Sequence, residues 1–175
     1  MKDVKKIVII GGESTGKSTL CAMLANHFHT IWVREYAREY LEKKDRNYTF
    51  KDLYIIANGQ IKSEDEKISF AKKFLFCDTD LNVIKIWSEH KYQKCHKEIL
   101  QEIANRKYDA YIITSPDFAW VNDKLREHPE PEMRNYFFKL YTAIIENTKL
   151  PFCIVKGNED ERLQQSIQFI EKIFM

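Results

Sequence analysis

Cysteine, proline and glycine are scarce here: four, four and five residues respectively in a chain of 175. The four cysteines, Cys21, Cys77, Cys95 and Cys153, lie far apart and form no CxxC pair. That excludes a disulfide framework and points to reduced thiols in a cytoplasmic protein. Cys95–His96, with His90 nearby, fits no common zinc spacing. Proline gathers only in "EHPEPEM", so no proline-rich linker or low-complexity segment divides the chain. Long apolar runs are also missing. After "MKDVKK" the apolar stretch is only "IVII" before glycines begin, so neither a signal peptide nor a membrane span is expected. Strong charge of one sign is absent: the net charge is +2 and the pI about 8.2. That balance argues against nucleic acid as the main partner. What remains is globular, with 44% hydrophobic and 31% charged residues. The length suits one domain spanning residues 1–175.

Short β-branched or aromatic runs alternate with helical patterns. "KKIVIIGG", "TIWVRE", "KFLFCDTD", "YDAYIIT" and "PFCIVKG" read as five strands. Between and after them, "GKSTLCAMLANHF", "YAREYLEKK", "YTFKDLYIIANGQIKSEDEKISFAKK", "NVIKIWSEHKY", "CHKEILQEIANRK", "PEMRNYFFKLYTAIIENT" and "NEDERLQQSIQFIEKIF" read as helices. This alternation predicts an α/β fold: a five-stranded parallel sheet covered on both faces.

The few glycines are concentrated. Gly11, Gly12 and Gly16 fall within "GGESTGKST", which is G-x-x-x-x-G-K-[ST] placed between a strand and a helix. Glycine lets such a loop curl its N–H groups onto phosphate oxygens, and the helix adds its positive end. Gly11, Gly12, Glu13, Ser14, Thr15, Gly16, Lys17, Ser18 and Thr19 are therefore the expected cradle of a nucleoside triphosphate. Lys17 would reach the β- and γ-phosphates, and the Ser18 hydroxyl would hold Mg²⁺.

In such sheets ligands sit beyond the carboxyl ends of the strands. Strand two is expected to end in Glu35, and strand three in Asp78 and Asp80. Asp78 directly follows "FLFC" and is assigned to the metal. Glu35 is the candidate base for an attacking hydroxyl; Asp80 is the second candidate for that role, or a ligand of acceptor hydroxyls. Arg38 lies one helical turn from Glu35 and would face the same site.

"SPDFAWVNDKLR" after strand four places acids, aromatics, an amide and cations together. A lid over 116–135 explains the mixture. Arg126 or Arg134 would cover the migrating phosphoryl group. Trp120 would offer a flat face to a ring, or else fill core, as Phe118 is expected to do. Asn122 and Asp123 would bond acceptor hydroxyls. After strand five, Gly157 and Asn158 would neighbour the base of the nucleotide. Arg162 would stack on that base or reach phosphate, unless it merely begins a surface helix.

"GGESTGKSTL", "EYAREYL", "FCDTD", "WVNDKLR", "MRNYF" and "NEDERLQQ", in that order, span nearly the whole chain. The set resembles the ribosylnicotinamide kinase domain of the NadR family and its stand-alone relatives among P-loop nucleoside kinases. The resemblance implies a nucleoside-monophosphate-kinase-like P-loop fold, ATP and Mg²⁺ as cosubstrates, and nicotinamide riboside as acceptor. Its product would be nicotinamide mononucleotide, within NAD salvage. The chain departs from the pattern at Asn122, where an acid is usual, and at Arg34, in a position that varies. Both changes fall where the acceptor would bind. The adenylyltransferase and helix-turn-helix parts of NadR proteins have no place in these 175 residues, so neither of those activities is expected here. Two alternatives stay open: a P-loop kinase of another nucleoside or small metabolite, and a nucleotide-switched ATPase module. The chain has no N-K-x-D stretch for reading guanine.

Overall fold

The computed structural model describes residues 4–44 and 48–175. Five parallel strands form the sheet: β1 (Lys5–Gly11), β2 (Ile31–Val33), β3 (Phe74–Asp78), β4 (Ala110–Thr114) and β5 (Phe152–Val155), in spatial order β2-β3-β1-β4-β5. Ile9 of β1 lies beside Asp78 of β3 and Ile112 of β4. The helices are α1 (Lys17–His27), α2 (Tyr36–Lys43), α3 (Phe50–Lys67), α4 (Leu81–Tyr92), α5 (Lys97–Asn105), α6 (Pro131–Thr148) and α7 (Glu159–Phe174). A short 3₁₀ turn follows α3 at Ile68–Phe70.

Central strands covered on both faces need continuous apolar runs, and β1 supplies Ile7, Val8, Ile9 and Ile10, all fully buried. Ile7 and Ile9 pack with Phe74, Phe76 and Ile112 beneath Leu20 and Leu24 of α1 and Ile167 and Ile170 of α7. Val8 and Ile10 face the opposite layer with Leu75, Tyr111 and Ile113, under Ile86 of α4 and Phe137, Tyr141 and Ile145 of α6. A third cluster joins Ala37 and Leu41 of α2 and Leu53 and Ile56 of α3 to Leu81 and Ile84 of α4. This cluster holds the α2–α3 pair over the carboxyl end of β3.

Helix starts follow local chemistry. Thr49 and Asp52 form a reciprocal capping box on α3, Asn158 and Glu161 do the same on α7, and Pro131 opens α6. One boundary differs from the sequence expectation. β2 ends at Val33, and Glu35 instead caps α2 in extended geometry with φ −62° and ψ 112°. The helical pattern of "YAREYL" captures the chain two residues earlier than the strand pattern suggests.

Candidate active site

The carboxyl edge of the sheet gathers the phosphate loop after β1, Glu35 between β2 and α2, Asp78 at the end of β3, and the segment between β4 and α6. The loop lies against β4. A Cβ at Gly11 would come within 2.2 Å of Thr114 Oγ1, so only glycine permits the approach. Gly16 enters α1 with φ 78°, in the left-handed region. Thr15 Oγ1 pins the curl by donating to the Gly12 carbonyl at 2.8 Å, and it lies 2.7 Å from Thr114 Oγ1. Lys17 Nζ reaches back across the loop to the Gly12 carbonyl at 2.8 Å. Residues 11 and 13–19 line a cavity of about 150 Å³ together with Glu35, Arg38 and Arg126. Gly12 is not on that wall; it borders a smaller cavity beside Arg134 and Trp87.

Ser18 Oγ donates to Asp78 Oδ2 at 2.5 Å. Asp78 is 1% exposed, and its other oxygen, Oδ1, is buried without a hydrogen-bond partner among the described residues. A carboxylate oxygen left unpaired in the interior is costly unless a cation or donor meets it. Hard oxygen donors from Ser18 and Asp78, beside a phosphate cradle, fit Mg²⁺. Burial pushes the Asp78 carboxyl up, opposed by the Lys17 charge and the Ser18 hydrogen bond.

Glu35 is half-buried, and among the described residues no hydrogen bond ties up its carboxylate. Burial pushes it up to about 7, against the pull of Lys17 and with the push of Asp78 and Glu13. It borders both the phosphate cavity and a wider cleft of about 750 Å³ that contains Ser18, Asp78, Arg38, Asp123 and Arg126. Glu35 thus borders both the cavity of the phosphate loop and this cleft.

The segment between β4 and α6, where a lid is expected, is docked on the phosphate loop. Glu13 Oε2 accepts the backbone N–H groups of Glu127 at 2.9 Å and His128 at 3.1 Å. Ser14, held at φ 55°, accepts from Val121 N at 2.9 Å and from Arg126 at 3.2 Å, and donates to the Ala119 carbonyl at 3.3 Å. Arg126 therefore lies over the loop. Arg134 donates instead to the carbonyls of Phe118 at 2.8 Å and Ser14 at 3.4 Å. Arg38 joins α2 to the lid through Asp123 at 2.6 Å.

Four sequence expectations land elsewhere. Asp80 caps α4: it accepts from Asn82 N at 2.9 Å, Asn82 Nδ2 at 2.7 Å and Tyr111 OH at 2.9 Å. It borders a separate cavity with Tyr108 and Leu150 and not the cavity of the phosphate loop, so the structure does not bring it together with Lys17 and Glu35. Trp120 is taken up within the lid. Its Nε1 donates to Asn122 at 2.9 Å, and the guanidinium carbons of Arg134 and Arg126 lie 5.7 and 6.0 Å from its ring centre. Phe118 packs beneath the Arg162 guanidinium at 4.6 Å rather than in the sheet core.

Arg162 is the fourth. It is 2% exposed and ties three loops together, donating to the carbonyls of Gly157 at 2.8 Å, Thr15 at 2.7 Å and Ser115 at 3.1 Å, and to Asp117. With its donors engaged inside the protein, it is a strut beneath the phosphate loop and not a contact to the base. Gly157 N–H is likewise held by Asp117 at 2.7 Å, and Asn158 N–H by Glu161 at 2.8 Å. Arg162→Met should lower the unfolding free energy by about 3 kcal/mol, because three buried carbonyls lose their donor. Urea denaturation checks this; unchanged stability with weakened nucleotide binding would restore the contact role.

Residues that sequence reasoning missed line the far side. Leu41, Val83, Trp87, Leu125 and Tyr141 complete the phosphate cavity. An adjoining chamber of about 250 Å³ shares Glu13, Leu41, Trp87 and Leu125, and adds Tyr48, His90, Lys91, Glu127, His128 and Phe137. Trp87 carried a faint signal: it is a bulky aromatic on α4, in the helix that follows Asp78.

Comparison with known proteins agrees with this geometry. The chain is 28% identical to the trifunctional NAD biosynthesis/regulator protein NadR of Escherichia coli K12, over 97% of its own length and 43% of that protein. It therefore spans less than half of the curated relatives it matches. The structure of a NadR protein with NAD and AMP-PNP superposes with a TM-score of 0.78 at 22% identity, covering 97% of this chain and 49% of that one. A NadR structure in complex with NR gives 0.77 at 21% identity, covering 97% and 51%. This chain is homologous to the NadR proteins and has the fold of P-loop nucleoside and nucleotide kinases. The sequence profile described as "AAA domain" matches residues 6–162, and the chain belongs to that family.

Proposed function

We propose that this protein is an ATP- and Mg²⁺-dependent nucleoside kinase that phosphorylates the 5′-hydroxyl of nicotinamide riboside to give nicotinamide mononucleotide. One observation carries the reading. Among the described residues no hydrogen bond holds the carboxylate of Glu35, which opens onto both the phosphate cradle and the wide cleft beside it. A nucleotide-driven switch has no need of a free carboxylate bordering both the phosphate loop and an open cleft. The homology to NadR and the NR-bound relative support the choice of acceptor. In this reading residues 1–175 form one kinase domain with a lid over 116–135.

The phosphate loop and Lys17 hold the triphosphate, with Ser18 and Asp78 as the residues that would hold Mg²⁺. Bound there, the metal would neutralise negative charge on the triphosphate. Glu35 orients the acceptor hydroxyl and takes its proton as the new oxygen–phosphorus bond forms. The bond from the γ-phosphorus to the β–γ bridging oxygen breaks, and ADP leaves with that oxygen. Arg126 stands over the transferring group, while the Glu13 and Ser14 latches bring the lid down and keep water out. Arg38 and Asp123, joined across the cleft, position α2 against the lid.

The direct test is product identity. Incubation with ATP, Mg²⁺ and nicotinamide riboside should yield a phosphate monoester on the 5′-oxygen, seen by ³¹P NMR. Inorganic phosphate as the sole phosphorus product besides ADP would overturn the reading.

A further inference from the structure

Glu35 stands at the N-cap position of α2. The first-turn N–H groups of a helix need acceptors, and the side chain at the N-cap is the nearest source of one. Glu35 makes no such bond. The N–H of Tyr36, next in the chain, goes instead to Gln60 Oε1 on α3, at 2.9 Å. The acceptor that α2 needs at its start thus comes from a neighbouring helix, and the Glu35 carboxylate is left to the cleft.

The residue before Gln60 makes a second contact. Gly59 lies inside α3, where glycine weakens a helix relative to alanine. A Cβ there would lie 2.1 Å from Cε1 and 2.2 Å from Cδ1 of Tyr36, so the ring rests directly on the helix backbone. Gly59 and Gln60 therefore grip the ring and the N–H of the residue that follows Glu35. A third tie holds the chain ahead of it. Lys67, the last residue of α3, donates to the Trp32 carbonyl at 3.0 Å. Behind these ties α3 is well anchored: Leu53, Ile56 and Ala57 are buried with Ala37, Leu41, Leu81 and Ile84.

Stability alone does not account for this arrangement. Gln60 is 2% exposed, and its Nε2 is buried without a hydrogen-bond partner among the described residues. An unmet buried donor is destabilising, and an apolar side chain would avoid it. Two consecutive residues of α3, one unfavourable for the helix and one for the core, converge on the neighbour of the candidate base. A group that takes a proton must be held to about 0.5 Å, and a misplacement of about 1 Å can lower the rate about 10²-fold.

We propose that Gly59 and Gln60 are positioning residues for Glu35: they hold Tyr36 against α3, so that the Glu35 carboxylate stays off the start of α2 and faces the cleft. The proposal rests on the nucleoside kinase reading above, with Glu35 as its base.

The test is a double-mutant cycle on kcat, with ATP, Mg²⁺ and nicotinamide riboside, or with another nucleoside where that is the better acceptor. Gly59→Ala should lower kcat about 10–100-fold and leave KM for ATP within about twofold of the parent. Gln60→Met removes both the acceptor and the unmet donor. It should lower kcat about tenfold with little change in the urea midpoint. In the Glu35→Gln background both changes should be nearly silent, because the group they position is already gone. If Gly59→Ala does not fold, the Gln60→Met cycle decides. Plain loss of packing would lower kcat by the same factor in both backgrounds. That result overturns the positioning role and leaves the kinase reading standing, as does parent-like kcat in both single variants. Failure of the parent protein to phosphorylate nicotinamide riboside or any ordinary nucleoside overturns both.

Discussion

Lys17→Ala should lower kcat by about 10²–10³-fold with saturating acceptor, the usual cost of removing one preorganised charge from a developing transition state. The side chain is placed for that role. Its ammonium crosses the phosphate loop to the Gly12 carbonyl at 2.8 Å, at the centre of the cradle formed by Gly11 to Thr19. Alanine at this position keeps the helix start of α1, since alanine is the best helix former. The deeper fold is held elsewhere, by Ile7 to Ile10 and the two layers that cover them. The variant should therefore stay folded, with a near-unchanged circular dichroism melt. Turnover within tenfold of the parent protein would remove Lys17 from the chemistry and, with it, the assignment of the loop.

Glu35→Gln should lower kcat by about 10²–10⁴-fold, the range for loss of a general base. Glutamine keeps the shape and one hydrogen-bonding oxygen but cannot accept the proton. A pH signature accompanies the loss. Burial raises the Glu35 carboxyl to about 7, so its base form becomes more abundant as pH rises through that value. In the parent protein kcat/KM should climb with pH and level off above about 7. The variant should lose that step. A loss under tenfold, with the step intact, would pass the proton to another group. Asp80 is not placed to receive it, because Asn82 and Tyr111 surround its carboxylate.

Much of the frame was legible from residue patterns. The runs "IVII", "FLFC" and "YIIT" carry the β-branched and aromatic character of strands buried on both faces, and they became β1, β3 and β4. The phosphate loop was legible because its chemistry is local: glycines, a lysine and a hydroxyl within nine residues. The side chains that the structure places away from the expected positions have a common cause. Asp80 follows a buried strand like a site acid, but its partner Tyr111 comes from another strand, beyond the reach of any local pattern. Arg162 begins a helix like a surface cation, yet three carbonyls from three separate loops converge on it. Trp120 looked available to a ligand, but two lid arginines meet its ring. The aromatic chamber was invisible for the same reason. Tyr48, Trp87 and Phe137 belong to different elements, and each alone reads as ordinary packing.

The docked lid bears on how these parts work together. Glu13 and Ser14 belong to the phosphate loop, yet their side chains hold lid backbone at Glu127, His128, Val121 and Ala119. Glu13 also lines the aromatic chamber, so one side chain borders the phosphate-loop cavity, the segment between β4 and α6, and that chamber.

The measurement that tests the central claim most directly is acceptor-dependent ADP formation. Purified protein with ATP and Mg²⁺ is given nicotinamide riboside, and separately a panel of ordinary ribonucleosides, deoxyribonucleosides and thiamine. The account predicts rapid ADP release with nicotinamide riboside and little with the others. Slow ADP release that is indifferent to every acceptor would contradict it and point instead to a nucleotide-driven binding module.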